Sequence, residues 1–246
     1  MLDLFAANPI VDKMNQGSQR AHFSRYLTTT PVFQTTYTPP RGGLDLIYFD
    51  ESILVVNKPA GLLSVPGRGA DKADSLVTRV QQEFSDALAV HRLDMATSGL
   101  MVFARGAEMQ RRVSQMFRER KVEKRYVAVV AGKVEPMTGE VNLPIVADWP
   151  NRPLRKVDVG SGKPSLTRYR VLGYEKFVDA TRLELEPVTG RTHQLRLHMA
   201  SIGHPILGDA LYGGQSADRL LLHAFLLSFI HPANGMLLNL HNAPPF

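Results

Sequence analysis

Apolar positions recur along this chain with two different periods, and the changes of period divide it into elements. Leu46-Ile47-Tyr48-Phe49 and Ile53-Leu54-Val55-Val56-Asn57 are short apolar runs separated by Asp50-Glu51-Ser52, a pattern that predicts a β-hairpin. Lys58-Pro59 ends the pairing, because proline has no ladder donor, and Gly61 permits a bend. Lys58 is therefore expected at a strand end, either facing substrate or bracing the loop. With Asp74 or Ser75 as cap, Leu76, Val77, Val80 and Phe84 share one face of a helix that should pack behind the sheet. Leu100 to Ala104 is another apolar run of buried-strand length, and Met109, Val113, Met116 and Phe117 then recur at helical spacing. Further strands are predicted over Arg125–Ala131, Thr167–Leu172 and Thr181–Leu185. A last helix is predicted from Thr192 as N-cap to Ile202, with Leu195, Met199 and Ile202 on one face and Gly203 as its stop.

Residues 1–43 lack such periodicity. They carry Pro9, Pro31, Pro39, Pro40, Gly42 and Gly43 among Thr and Gln, and are expected to form a weakly structured extension, with residues 44–246 as one sheet-rich domain. A chain of 246 residues with 44% hydrophobic content can build a substantial core. The absence of cysteine excludes disulfides, thiolate nucleophiles and cysteine-based zinc sites. The N-terminus lacks the basic start and apolar core of a secretory signal. The longest apolar run, Leu220–Ile230, is interrupted by His223 and falls short of the ~20 residues that span a bilayer. A cytoplasmic protein without a membrane partner is expected.

Charge sharpens the picture. The formal net charge is +6, with a pI near 9.6, which suits a polyanionic partner. Between Arg105 and Arg125 eight basic residues face three acidic ones, and Arg111, Arg112 and Arg118 fall off the apolar stripe. Arg152, Arg155, Lys156, Lys163, Arg168 and Arg170 form a second basic stretch. Together the two could line a groove for phosphates, although a solvated helix face and a basic loop give the same pattern.

Candidate chemistry concentrates in His91-Arg92-Leu93-Asp94-Met95-Ala96-Thr97-Ser98-Gly99-Leu100, a polar cluster feeding an apolar strand. Taken alone, Asp94 reads either as the former of an Asx-type turn completed by Thr97, Ser98 and Gly99, or as a catalytic carboxylate. Tyr126 alone reads as a packed strand aromatic. His193, His198 and His204 do not form a metal motif, because the first two lie about 140° apart around a helix. Gly203 to Gly214 matches neither a P-loop nor a dinucleotide fingerprint.

Four stretches in order give these residues a common meaning. Lys58-Pro59-Ala60-Gly61-Leu62, His91 to Leu100, Lys124-Arg125-Tyr126, and Thr189-Gly190-Arg191-Thr192-His193-Gln194-Leu195-Arg196-Leu197-His198 with Gly203 to Asp209 resemble the motifs of the RluA family of RNA pseudouridine synthases. The match runs from about Leu44 to the C-terminus, and Asp148-Trp149-Pro150-Asn151-Arg152-Pro153 resembles the subgroup that modifies both ribosomal and transfer RNA. The resemblance implies an α+β fold with a mixed, mainly antiparallel sheet, flanking helices and an active-site cleft. It implies isomerisation of uridine in RNA to pseudouridine, a reaction with no net gain or loss of atoms and hence no cofactor and no metal. Asp94 would act as nucleophile or base, Tyr126 would pack on the uracil, and Arg196 would keep Asp94 charged. Arg92 would enter the RNA stack where the target nucleotide leaves it, and His91 and Arg191 would support loop geometry or phosphates; beside them Lys58, and Arg111 and Arg112 from the first basic stretch, are candidates for RNA contact. The partner would be an rRNA or tRNA stem-loop, and the protein a monomer. Two other readings use the same residues: an N-glycosidic hydrolase, which should bring a second acid, and a non-catalytic RNA-binding or ribosome-assembly protein.

Overall fold

The hairpin signal at Asp50–Ser52 begins the fold, which a computed structural model describes for residues 37–246. Strands β1 (Leu46–Phe49) and β2 (Ile53–Lys58) pair antiparallel across that turn. Helix α1 (Leu76–Glu83), β3 (Ala87–Ala89), β4 (Ser98–Arg105) and helix α2 (Gly106–Arg118) follow. Next come β5 (Glu123–Ala131), β6 (Thr138–Asn142), a small separate hairpin of β7 (Ile145–Ala147) and β8 (Arg155–Val157), β9 (Leu166–Glu175) and β10 (Ala180–Pro187). Helix α3 (Gln194–Ser201), β11 (Leu222–Ile230) and β12 (Leu237–His241) complete the described chain. The main sheet runs β1-β2-β4-β11-β5-β10-β9-β6, with β3 also on β4 and β12 also on β11. Its pairs are antiparallel except β4–β11, so the expected mixed, mainly antiparallel α+β fold is the fold found.

The β4–β11 contact is short and tight: His223 pairs with Ser98 and Ala224 with Gly99. Gly99 has φ +115°, and a Cβ there would stand 2.3 Å from the Ala224 carbonyl oxygen. Only glycine supplies both the conformation and the clearance. Strands β2 and β4 read as unbroken apolar runs because both of their faces are covered. Ile53, Val55, Leu100 and Val102 pack with Val113 of α2, while Leu54, Val56, Met101 and Phe103 pack with Leu76 and Val80 of α1.

Helix α1 is capped by Ser75, whose hydroxyl accepts from the Thr78 amide while the Thr78 hydroxyl accepts from the Ser75 amide. Asp74 instead pairs with Arg79 at 2.8 Å, and Arg79 also donates to the carbonyls of Pro40 and Gly42. Part of the expected extension is thereby fastened to the domain. Residues 37–43 have no helix or strand, yet the Tyr37 hydroxyl donates to the Asp74 carbonyl and accepts from the Leu63 amide. Residues 1–36 lie outside the described chain.

Helix α3 departs from expectation. Thr192 is not its cap; His193 is, in the left-handed conformation at φ 57°, ψ 17°. The Gln194 side-chain oxygen accepts from the Arg191 amide and the Thr189 hydroxyl, which folds the entry turn without a threonine cap. Nor has α3 a single apolar face. Gln194 to Met199 are all buried, because the helix is covered on nearly every side.

Candidate active site

Asp94 lies in the connection from β3 to β4, and its chain neighbours are clamped to the loop that follows β2. The Ser64 hydroxyl donates to the Leu93 carbonyl at 2.6 Å and accepts from the Leu93 amide at 3.1 Å. The Gly61 amide donates to the Met95 carbonyl at 2.8 Å. Lys58 is fully buried, and its Nζ donates to the carbonyls of Pro59, Leu62 and Met95 at 2.9, 2.7 and 3.0 Å. The expected RNA contact of Lys58 is thus corrected: all three ammonium donors are spent on the backbone, so this side chain braces the Asp94 loop. Burial draws its pKa down to about 7, with the Asp94 charge opposing. The turn at Asp94 is closed by its own carbonyl, which accepts from the Thr97 amide at 3.1 Å, and this leaves the carboxylate out of the bend.

Arg196 Nη1 donates to Asp94 Oδ2 at 3.3 Å, and His193 Nε2 lies 3.8 Å from the same oxygen. Oδ1 has no hydrogen bond among the described residues. The stronger partner of Arg196 is Asp209, gripped in bidentate fashion by Nε and Nη2 at 2.8 and 2.7 Å. Asp209 Oδ1 also accepts from the amides of Leu211 and Tyr212, and the Asp209 side chain has no exposure, against 21% for Asp94. Burial disfavours the guanidinium charge, but Asp209 and then Asp94 outweigh it and raise the Arg196 pKa. Asp209 stands in the last motif stretch without an assigned role, although it is the sole acid between Glu186 and Asp218.

Asp94 opens onto a cleft of about 780 Å³ whose walls include Arg92, Arg118, Arg120, Tyr126 and Arg191. Burial and the Asp94 charge raise the Tyr126 phenol pKa, so this residue offers a neutral ring and not a phenolate. Arg92 is exposed at the mouth, where Nη2 donates to the Thr192 hydroxyl at 3.3 Å. Arg191 is exposed in the same cleft lining and reaches the Pro164 carbonyl at 3.4 Å. Of the two roles expected for His91, its contacts favour loop support, although the residue also lines the cleft. Its Nε2 accepts from the Val102 amide at 3.0 Å, its ring stacks on Phe117 at 4.5 Å, and burial, aided by Lys124, pushes its pKa to about 3. A neutral acceptor ring supports the loop and has no charge for a phosphate.

The basic stretches divide unequally. Helix α2 turns Ser114, Phe117 and Arg118 toward the cleft, and Arg120 and Lys124 continue its wall. Arg111 and Arg112 are exposed and pair with Glu108, outside that wall. The second stretch does not line the cleft: Arg168 and Arg170 pair with Glu140 and Glu184, and the Arg152 guanidinium lies 3.3 Å over the Trp149 ring.

Comparison with known proteins agrees with this geometry. A family model described as RNA pseudouridylate synthase matches residues 52–201. The dual-specificity RNA pseudouridine synthase RluA of Escherichia coli K12 is 50% identical over 204 residues, which cover 81% of this chain and 93% of that protein. Its namesake in Vibrio parahaemolyticus is 48% identical over 209 residues, 82% of this chain and 84% of that one. The structure of human RNA pseudouridylate synthase domain containing 1 superposes with a TM-score of 0.71 at 28% identity, covering 85% of this chain and 87% of the human one. With more than half its length matched by the family model and close relatives covered almost end to end, the chain belongs to the RluA family of RNA pseudouridine synthases.

Proposed function

We propose that this enzyme converts specific uridines of structured RNA to pseudouridine, with Asp94 as the charged group that acts at the sugar. The observation that carries the reading is the asymmetry of that carboxylate: Oδ2 is held by Arg196, while Oδ1 accepts no hydrogen bond among the described residues and stands beside a basic cleft. An ionised oxygen so placed suits either addition to C1′ or removal of the C2′ proton once the C1′–N1 bond weakens. The Tyr126 ring supplies a flat neutral surface for the released uracil while it turns to present C5. Arg92 at the mouth, with Arg118, Arg120 and Arg191 around it, gives phosphate contacts and a cation to fill the gap left by a flipped nucleotide.

The hydrolase reading needs a second working acid, and the nearest candidate is unsuited. Asp209 is buried, its carboxylate accepts from Arg196 and two backbone amides, and it does not line the cleft, so it is not placed to activate water or protonate a leaving group there. The resemblance of Asp148 to Pro153 to the subgroup that modifies ribosomal and transfer RNA, with the dual-specificity name of the half-identical relative, supports stem-loops of both RNAs as substrates.

The test is Asp94→Asn with RNA tritiated at uridine C5. Tritium release should fall to background while RNA affinity stays within about tenfold, roughly 1.4 kcal/mol. Substantial remaining release would reduce Asp94 to a loop residue, and release of free base by the wild type would restore the hydrolase reading.

A further inference from the structure

A left-handed histidine stands beside the proposed reacting carboxylate. His193 has φ 57°, one of three non-glycine residues among those described with positive φ. Glycine would adopt this conformation without steric cost, whereas here the position presents an imidazole beside Asp94. The ring is almost buried, with 9% side-chain exposure, and both nitrogens have neighbours. Nδ1 is 2.9 Å from the Tyr212 hydroxyl and Nε2 is 3.8 Å from Asp94 Oδ2.

The protons on this chain of groups can be assigned. The Tyr212 hydroxyl already accepts from the Arg155 amide at 2.9 Å. Among the described residues its own proton has one acceptor within reach, His193 Nδ1. If that proton is donated, the neutral ring carries its hydrogen on Nε2, pointed toward the carboxylate. The opposite tautomer would strand the hydroxyl proton and set a nitrogen lone pair against Asp94 Oδ2. Desolvation keeps the ring neutral by lowering its pKa, so the tautomer and not the charge defines what Asp94 meets. Tyr212 is fixed in turn: its amide donates to Asp209, and its ring lies 5.3 Å from the Arg196 guanidinium and edge-on to His193.

We infer that His193 is a positioning residue for Asp94, locked by Tyr212 into the tautomer that presents an N–H to Oδ2. This rests on the reading that Asp94 carries the chemistry. Two arms then leave Asp209, one through Arg196 and one through Tyr212 and His193, and both end on Oδ2. Donors on one oxygen restrain rotation of the carboxylate and reserve Oδ1 for the sugar. At 3.8 Å the imidazole arm is not yet a hydrogen bond, and it closes when substrate excludes water from the cleft.

The test uses the full chain labelled with ¹⁵N-histidine, with His193 assigned by its absence in His193→Gln. Long-range ¹H–¹⁵N spectra should show His193 protonated at Nε2, and Tyr212→Phe should remove that preference. In single-turnover tritium release, His193→Phe should be about tenfold slower or more, as expected for loss of a donor to a charged group, with RNA affinity little changed. His193→Gln restores a donor near Nε2 and should recover most of the rate. If His193→Phe does not fold, Tyr212→Phe decides: it should slow the wild type and have no effect in the His193→Gln background, where no tautomer exists. A ring protonated at Nδ1, a His193→Phe rate within about twofold of wild type, or equal Tyr212→Phe effects in both backgrounds would overturn the inference. The spectra are independent of turnover, so a failure of the Asp94 reading would show in Asp94→Asn without altering the tautomer result.

Discussion

Arg196 holds two carboxylates at once, and its removal exposes the deeper one first. Asp209 has no exposure, so Arg196→Met leaves a buried charge without its cation, at a cost of about 3–5 kcal/mol. A fall of that size in urea-unfolding stability is expected along with lost turnover, and Arg196→Lys should recover little of either because an ammonium cannot make the bidentate contact. Unchanged stability in Arg196→Met would mean that Asp209 does not depend on this guanidinium in the fold. Acid acts through different residues. His91 and His223 are neutral in the fold, with burial lowering their pKa to about 3 and about 4, whereas a histidine of the unfolded chain binds a proton near 6.5. Their contribution to stability is complete above pH 6.5 and is lost progressively as pH falls toward 4, because the unfolded state takes up protons that the fold refuses. Each histidine should cost roughly 2 kcal/mol between pH 7 and 4.5, read from urea midpoints at the two values. Asp94, Tyr126 and Arg196 were legible in sequence as members of ordered motifs, and the cleft brings them together. Lys58 was legible only in its place at a strand end; whether a lysine there faces solvent or carbonyls depends on the Met95 loop folding over it, 37 residues away.

Helix α2 has three sectors at the scale of an element. Met109, Val113, Met116 and Phe117 face the core, Ser114 and Arg118 face the cleft, and Arg112 points nearly opposite to the cleft side. The apolar stripe was plain in the sequence because its period is strong, but which of the polar residues faces the cleft depends on how the helix lies against β3 and β4. Arg118→Glu should weaken RNA binding severalfold and reduce the salt dependence by about one counterion, while Arg112→Glu should leave both nearly unchanged. Equal losses in the two variants would extend the RNA surface around the helix. Helix α3 marks the opposite case. It is buried on nearly all sides, so it has no polar stripe for periodicity to find, and its cap is a strained histidine that no capping preference names. The strands β3, β6, β7 and β8 escaped notice for a simpler reason: at three to five residues each they are too short for an alternation to register.

The sheet as a whole is threaded out of chain order. Strand β11, formed by Leu222–Ile230, lies between β4 and β5 and joins the two halves of the sheet. In the sequence the same run read only as an apolar segment too short for a bilayer; its place in the middle of the sheet follows from pairings that span more than 90 residues. Asp94, Tyr126 and Arg196 all precede it, so a chain stopped after α3 carries every proposed catalytic side chain with no central strand to seat them. Such a truncation at residue 221 should be protease-sensitive and inert toward RNA, and measurable tritium release from it would show that the halves associate without β11. During synthesis the same dependence acts as a timer. The growing polypeptide stays powerless over the RNA around it, the ribosome that is making it included, until Leu222–Ile230 has emerged and paired.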